Sequence, residues 1–204
     1  MIVLKDPMKI TSGWAKNLPL LAPSGVKTRP TRTRVREAVL SILQFELKDK
    51  IAIDAFAGSG AMGLEMLSRG AKSCLFAENN SEARGVLSKN IKSLRGRALG
   101  AGIGKLDIAS FDRDLMTAAW VWPEGYQNPD ILWVDPPYEL APTWLSQFLA
   151  RPDLYPKLGG IAIVEHRTAD TSQIQELFQK CQAFKLKNFK KYGETSIIFM
   201  ERVH

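Results

Sequence analysis

Five short apolar runs, IAIDAF, SCLFAE, KLDIASF, DILWVD and IAIVEH, each followed by a segment long enough for a helix, set the tightest limit on how this chain can fold. Continuous apolar runs suit strands buried on both faces, and such strands occur in parallel sheets covered by helices. Parallel neighbours need right-handed crossovers, which segments such as GAMGLEMLSRG and TSQIQELFQKC can supply. The last two strand-like segments, FKLKNFKKY and TSIIFMERV, meet at Gly193, so an antiparallel hairpin is expected to close the sheet. The expected fold is α/β: a Rossmann-like, seven-stranded, mostly parallel sheet.

Ahead of the first strand the chain changes character. Residues 1–36 carry Lys5, Lys9, Lys16, Lys27, Arg29, Arg32, Arg34 and Arg36 against Asp6 alone, which accounts for the whole net charge of +7. The remainder is neutral, and this asymmetry favours contact with a polyanion over a merely solvated face. Gly13, Pro19, Pro23, Gly25 and Pro30 mark residues 8–30 as a short extended arm or hairpin without helical period. In TRVREAVLSILQFEL the apolar positions 35, 38, 39, 42 and 43 share one helix face, leaving Arg32 and Arg36 free to point outward. The division expected is a basic arm over 1–30 and a single domain over 31–204, for which 204 residues at 45% hydrophobic suffice. No apolar run approaches the roughly 20 residues that span a bilayer, so a soluble, cytoplasmic chain with no membrane contact is expected. Cys74 and Cys181 stand alone, without the spacing of a metal site or a disulfide framework.

The chemistry should lie where parallel strands end. After IAIDAF, Gly58, Gly60 and Gly63 form GxGxxG between a strand and a helix, a turn whose backbone can approach a ligand at a helix N-terminus. Glu78, twenty residues after Gly58, ends the second strand at the spacing of a carboxylate that accepts from ribose hydroxyls. Nicotinamide dinucleotides and S-adenosylmethionine can both use this arrangement. The fourth strand separates them. It ends in Asp135-Pro136-Pro137-Tyr138 rather than in a hydride-transfer acid or base, and the only histidines are His166 and His204. Asp135 and the Pro136 carbonyl are two neighbouring acceptors for the two protons of one amino group. Pro137 stiffens them, and Tyr138 offers a ring on which an extruded base could stack.

TRPTRTRVREAVLSIL, DAFAGSGAMGLEMLSRGA and DPPY, in that order and spacing, resemble the RsmD family of bacterial 16S ribosomal RNA guanine-N2 methyltransferases, over nearly the whole chain. DPPY alone is shared with many amino-methyltransferases; the R-P-T-x-x-R-V-R-E segment is far more specific. The resemblance implies a class I methyltransferase fold, S-adenosylmethionine as donor, and 16S rRNA or an assembling small ribosomal subunit as partner. By position it puts Asp54, Ala55, Gly58, Ser59, Gly60, Glu78, Asn79 and Asp135 around the cofactor. It sets Asp114, in preference to Asp112, with Leu115 against the adenine. Asp135 to Tyr138 form the catalytic strand end, and Arg29, Thr31, Arg32, Arg34, Arg36 and Tyr138 meet the RNA. No metal is called for, and a monomer is expected. The chain departs from the family's pattern at Asn80, where a second acid is usual, at Thr33 in place of an Asp, and in an arm that lacks the arginine-glycine-arginine cluster. An adenine-N6 methyltransferase would share every site residue. A non-catalytic RNA-binding module on the same fold and a nicotinamide-dependent reductase also stay compatible with these residues.

Overall fold

The computed structural model describes residues 8–23, 30–116 and 121–204. Its centre is one seven-stranded sheet in the order β3-β2-β1-β4-β5-β7-β6. The parallel strands are β1 (Ile51–Ala55), β2 (Ser73–Ala77), β3 (Asp107–Phe111), β4 (Ile131–Val134) and β5 (Ile161–Arg167). β6 (Phe184–Tyr192) and β7 (Thr195–Arg202) form the hairpin, turning at Gly193 (φ 65°), and β7 runs antiparallel to β5. Four of the five apolar runs are buried as expected, with every residue of β2 and β4 buried, whereas β3, at the edge of the sheet with one neighbour, has no buried residue. β6, at the edge, keeps Lys185, Lys187, Lys190 and Lys191 exposed, and charge on an edge strand discourages pairing with another chain.

Two apolar layers clothe the sheet. α1 (Pro30–Ile42), α2 (Ala61–Ser68) and α3 (Ser81–Gly100) cover one face, where Val39, Leu43, Leu64 and Leu94 meet Trp133, Ile163 and Phe199. α4 (Ala141–Leu149) and α5 (Thr171–Lys180) cover the other, where Trp144, Phe148 and Phe178 meet Leu132, Val164 and Ile198. The crossovers reverse direction between β1 and β4, and a crevice therefore opens at their carboxyl ends. The helix expected near 114–120 is not found in its described part: residues 112–114 are irregular and 115–116 form a turn, and 117–120 lie outside the described residues.

The described part of the N-terminal segment is a hairpin docked on α2. Lys9 bridges Pro19, with Ile10 N–H donating to the Leu18 carbonyl at 2.9 Å and Leu20 N–H to that of Met8 at 2.8 Å. α2 ends with carbonyls that no further helical turn can satisfy, and the hairpin supplies donors. The Trp14 backbone N–H reaches the Ser68 carbonyl at 3.0 Å, and its indole N–H reaches that of Leu67 at 3.1 Å. Gly13 (φ 81°) is required there, since a Cβ would sit 1.9 Å from the Ser68 oxygen.

One expectation fails in α1. Arg36 does not point outward; it is 6% exposed, its Nε donates to Glu65 Oε2 at 2.9 Å, and its Nη2 donates to the Lys9 carbonyl at 2.9 Å. The inward face of α1 is wider than the stripe through Val35 and Val39. Leu40 is also buried, and Arg36 lies one turn before it on the same line. Glu65, fully buried, takes Arg36 on one oxygen and Arg69 (2.8 Å) and Thr11 on the other, so α1, α2 and the hairpin share one ionic knot.

Candidate active site

The glycine turn is built from three glycines with different tasks. Chain direction changes at Phe56 (φ 63°), a non-glycine residue in the left-handed region, followed by Gly58 (φ 55°) and Gly60 (φ 78°). Such backbone is costly for a bulky residue and survives where its surroundings hold it; the Phe56 ring packs edge-on to Trp144 at 5.8 Å. A Cβ on Gly60 would meet Leu87 at 2.3 Å and one on Gly63 would meet Phe76 at 2.4 Å, so these two let α2 lie close against β2 and α3. A Cβ on Gly58 would meet nothing within 4 Å, because its backbone borders open space.

Carboxylates fix that turn. Glu78 Oε2 accepts from Gly58 N–H at 2.8 Å while its Oε1 accepts from Asn80 N–H at 2.8 Å. Asn80, where the family pattern has an acid, caps α3 by accepting from Ala83 N–H at 2.9 Å. Asp54, 1% exposed, accepts from Gly63 N–H at 2.8 Å. Burial pushes its carboxyl up to about 8, only partly opposed by the Gly63 N–H, and the charges of Asp135 and Glu78 push the same way.

The other half of the site begins where β4 ends. Asp135 N–H leans toward the Ala55 carbonyl at 3.4 Å, which ties the strand end to β1. Pro136 is buried and Pro137 exposed, the latter at φ −49° and ψ 132°, so the expected stiff extended exit is present. Tyr138 opens a single 3₁₀ turn into α4. Its hydroxyl lies 2.7 Å from Thr195 Oγ1 on β7 and 3.4 Å from Glu165 Oε1 on β5, and the Arg167 guanidinium carbon lies 6.0 Å from its ring centroid.

These two halves enclose a cavity of about 600 Å³. Asp54, Gly58, Ser59, Glu78 and Asn79 line one side, and Asp135, Pro136, Pro137 and Tyr138 the other. Ala55 and Gly60 shape the turn without lining it. Asp114 and Leu115 are not brought to it either. Asp114 is exposed and accepts from Met116 N–H at 2.9 Å, while Leu115 is buried in the layer under α4. Asp112 pairs with Arg84 at the surface. Of the residues expected to meet RNA, Arg29 lies outside the described residues, as do the side chains of Thr31 and Arg32 in the first turn of α1. Arg34 is exposed, and Arg36 is turned inward to Glu65 while bordering the cavity.

Lining residues that the sequence did not single out include Met8 and Pro23 from the N-terminal segment, Thr33 from α1, and Glu165 from β5. The first three carry no local signal. Glu165 carried one, since IAIVEH follows its apolar run with an acid as IAIDAF, SCLFAE and DILWVD do. His166, beside it, is wholly buried against Thr171, and burial holds its imidazole below the usual range. Among the described residues no group of acids, histidines and cysteines could hold a metal ion, and no helix is long and apolar enough to cross a membrane.

Solved structures with this architecture include Escherichia coli yhhF, 22% identical, with a TM-score of 0.71 over 97% of this chain and 99% of that one. Another is the ribosomal protein L11 methylase of Lactobacillus delbrueckii subsp. bulgaricus, 18% identical, with a TM-score of 0.67 over 100% of this chain and 90% of that one. The fold is thus that of the class I methyltransferases. Among curated relatives, the ribosomal RNA small subunit methyltransferase D of Haemophilus influenzae is 30% identical over 136 residues, 66% of this chain and 65% of its own. Alignments with the first such relatives span about half to two thirds of their length, 47% for YlbH of Bacillus subtilis. The profile of the family described as "Conserved hypothetical protein 95" matches residues 8–201. The chain belongs to that family, the RsmD family that its glycine turn, its DPPY strand end and its R-P-T-x-x-R-V-R-E segment resemble.

Proposed function

We propose that this protein transfers a methyl group from S-adenosylmethionine to the exocyclic N2 amine of a guanine in small-subunit ribosomal RNA. The observation that carries the reading is the single cavity shared by the Gly58–Glu78 turn and the Asp135–Tyr138 strand end. The residues present fit such a donor. The open approach to Gly58 leaves room against the backbone, and each oxygen of Glu78 retains lone pairs for ribose hydroxyls beyond the N–H it already accepts. Asp54, Ser59 and Asn79 would border it, and when bound it supplies an electrophilic methyl on a sulfonium.

The chain's own residues prepare the acceptor. Asp135 and the Pro136 carbonyl accept hydrogen bonds from the two N–H groups of the amine, which turns the nitrogen lone pair away from them and toward the Glu78 side of the cavity. As the nitrogen gains a carbon substituent it becomes cationic, and the Asp135 carboxylate stabilises that charge, then accepts the proton directly or through water. Tyr138 supplies a ring for the extruded base, held by its hydroxyl bond to Thr195. The RNA backbone is drawn by the basic first segment, with Arg34 as its exposed described representative. The rRNA assignment draws support from a relative named for small-subunit rRNA methylation, and the guanine assignment rests on the resemblance to the RsmD family. The test is mass spectrometry of nucleosides from small-subunit rRNA of cells with and without the protein. N2-methylguanosine at one position is expected to disappear with the gene and return on incubation with protein and S-adenosylmethionine. An unchanged nucleoside profile defeats the reading.

A further inference from the structure

The cavity has a charge opposite to that of the chain. The protein is basic overall, yet Glu78, Asp135, Glu139 and Glu165 line the cavity, and Arg36, the one lining cation among the described residues, is engaged with Glu65. An acidic, walled pocket favours a guest whose edge is rich in hydrogen-bond donors. The methyl transfer gives no task to Glu139, which pairs with Arg167 at 3.1 Å, nor to Glu165.

Its position is set by register. In the parallel pair β4 and β5, Val134 lies beside Val164, and Asp135 and Glu165 are the next residues along these neighbouring chains, whose spacing in a sheet is about 4.8 Å. Trp133 and Ile163, two residues back, belong to the layer under α1 and α2, so both carboxylates face that side, where the cavity opens. Glu165 is 7% exposed. Its carboxylate is steadied by a chain of hydroxyls in which Thr195 lies 2.7 Å from Tyr138, and Tyr138 donates to Glu165 at 3.4 Å. An ionised carboxylate offers about four acceptor sites, so this contact leaves capacity for a ligand.

We propose that Glu165 is a specificity-determining residue, accepting the N1–H of an extruded guanine while Asp135 holds the neighbouring N2 amine. The inference rests on the guanine reading above. Guanine is the base whose pairing edge sets an N–H and an NH₂ donor side by side. Adenine presents an acceptor at N1 and cytosine one at N3, and uracil has the N–H but no amine. Two parallel carboxylates match the guanine edge and set a negative charge against a lone pair in the others. The same pair therefore resolves what DPPY by itself leaves open.

The experiment changes the pairing edge of the substrate. Small subunits are reconstituted with ligated rRNA carrying guanine or 2-aminopurine at the position that mass spectrometry shows to be methylated. 2-Aminopurine retains the N2 amine, replaces N1–H with an acceptor and lacks the O6 carbonyl, so the change of preference on substituting Glu165 is what isolates N1. The wild-type protein is expected to favour guanine about 10- to 100-fold in kcat/KM. Glu165→Gln, whose amide can donate to N1, is expected to lose about as much on guanine and bring the two substrates within a few-fold of each other, with affinity for S-adenosylmethionine unchanged. Equal wild-type rates on the two bases overturn the assignment, as does undiminished guanine preference in Glu165→Gln, even though N2-methylguanosine is still formed. A methylated adenosine in the wild-type product overturns the guanine reading itself and is recognised by its nucleoside mass. Equal wild-type rates overturn the assignment without any variant, so it stays falsifiable even if Glu165→Gln fails to fold.

Discussion

The two sides of the cavity are made in different ways. On the cofactor side, Asp54, Gly58, Gly63 and Glu78 come from one strand-turn-helix-strand unit, and hydrogen bonds of 2.8 Å run from Gly63 to Asp54 and from Gly58 to Glu78. On the acceptor side, Asp135, Glu165 and Thr195 come from three strands and meet through sheet register and the Tyr138 hydroxyl. The first side is a local motif with little freedom, and the second is an assembly that each neighbouring strand can disturb. Binding of the donor and orientation of the acceptor should therefore fail separately.

The strongest break is expected at Asp135. Asp135→Ala removes the acceptor of the amine and the counter-charge of the transition state, so kcat should fall about 10³-fold or more while titration with S-adenosylmethionine changes little. Near-wild-type transfer would remove Asp135 from its role. Glu78→Ala should give the opposite pattern, with donor affinity weakened about 10- to 100-fold and the rate at saturating donor retained within a few-fold. Calorimetric titration alongside single-turnover rates separates the two, and a joint loss in both variants would show that the sides are not independent.

A smaller effect should follow from the buried carboxyl between them. Asp54 titrates near 8 instead of its ordinary 3.8, so the folded state binds its proton more tightly than the unfolded chain does. Its contribution is complete below about 4 and is lost as pH rises through about 8, with a slope of at most about 1.4 kcal/mol per pH unit in that window. Asp54→Asn keeps an acceptor for Gly63 and should flatten this slope in denaturation measured from pH 5 to 8. An unchanged slope would mean that other groups govern it. The smallest effect is expected for Thr195→Val, which removes the far end of the hydroxyl chain. KM for RNA should rise a few-fold, with donor affinity untouched. A loss as large as that of Asp135→Ala would make Thr195 part of the chemistry.

How much was legible follows the same division. The apolar runs foretold the five parallel strands, though not that β3 would lie exposed at the edge, and Gly193 the closing hairpin, because period and turn chemistry act over a few residues. Gly58 and Glu78 were readable for the same reason. Arg36 was misplaced because a helix stripe shows which residues are apolar, while the turning inward of a cation depends on a buried partner such as Glu65 on another element. Asp114 and Leu115 follow the end of β3 in an irregular stretch where no period constrains direction.

The sequence by itself determined the order of strands and helices, the glycine turn, and the placing of an acid after each of four apolar runs, since these are properties of consecutive residues. Only the tertiary structure decided that Glu165 lines the same cavity as Asp135 and that Tyr138 reaches Thr195. Register between strands is fixed by burial of whole layers against helices, and a shift of one residue would turn each of these side chains to the opposite face.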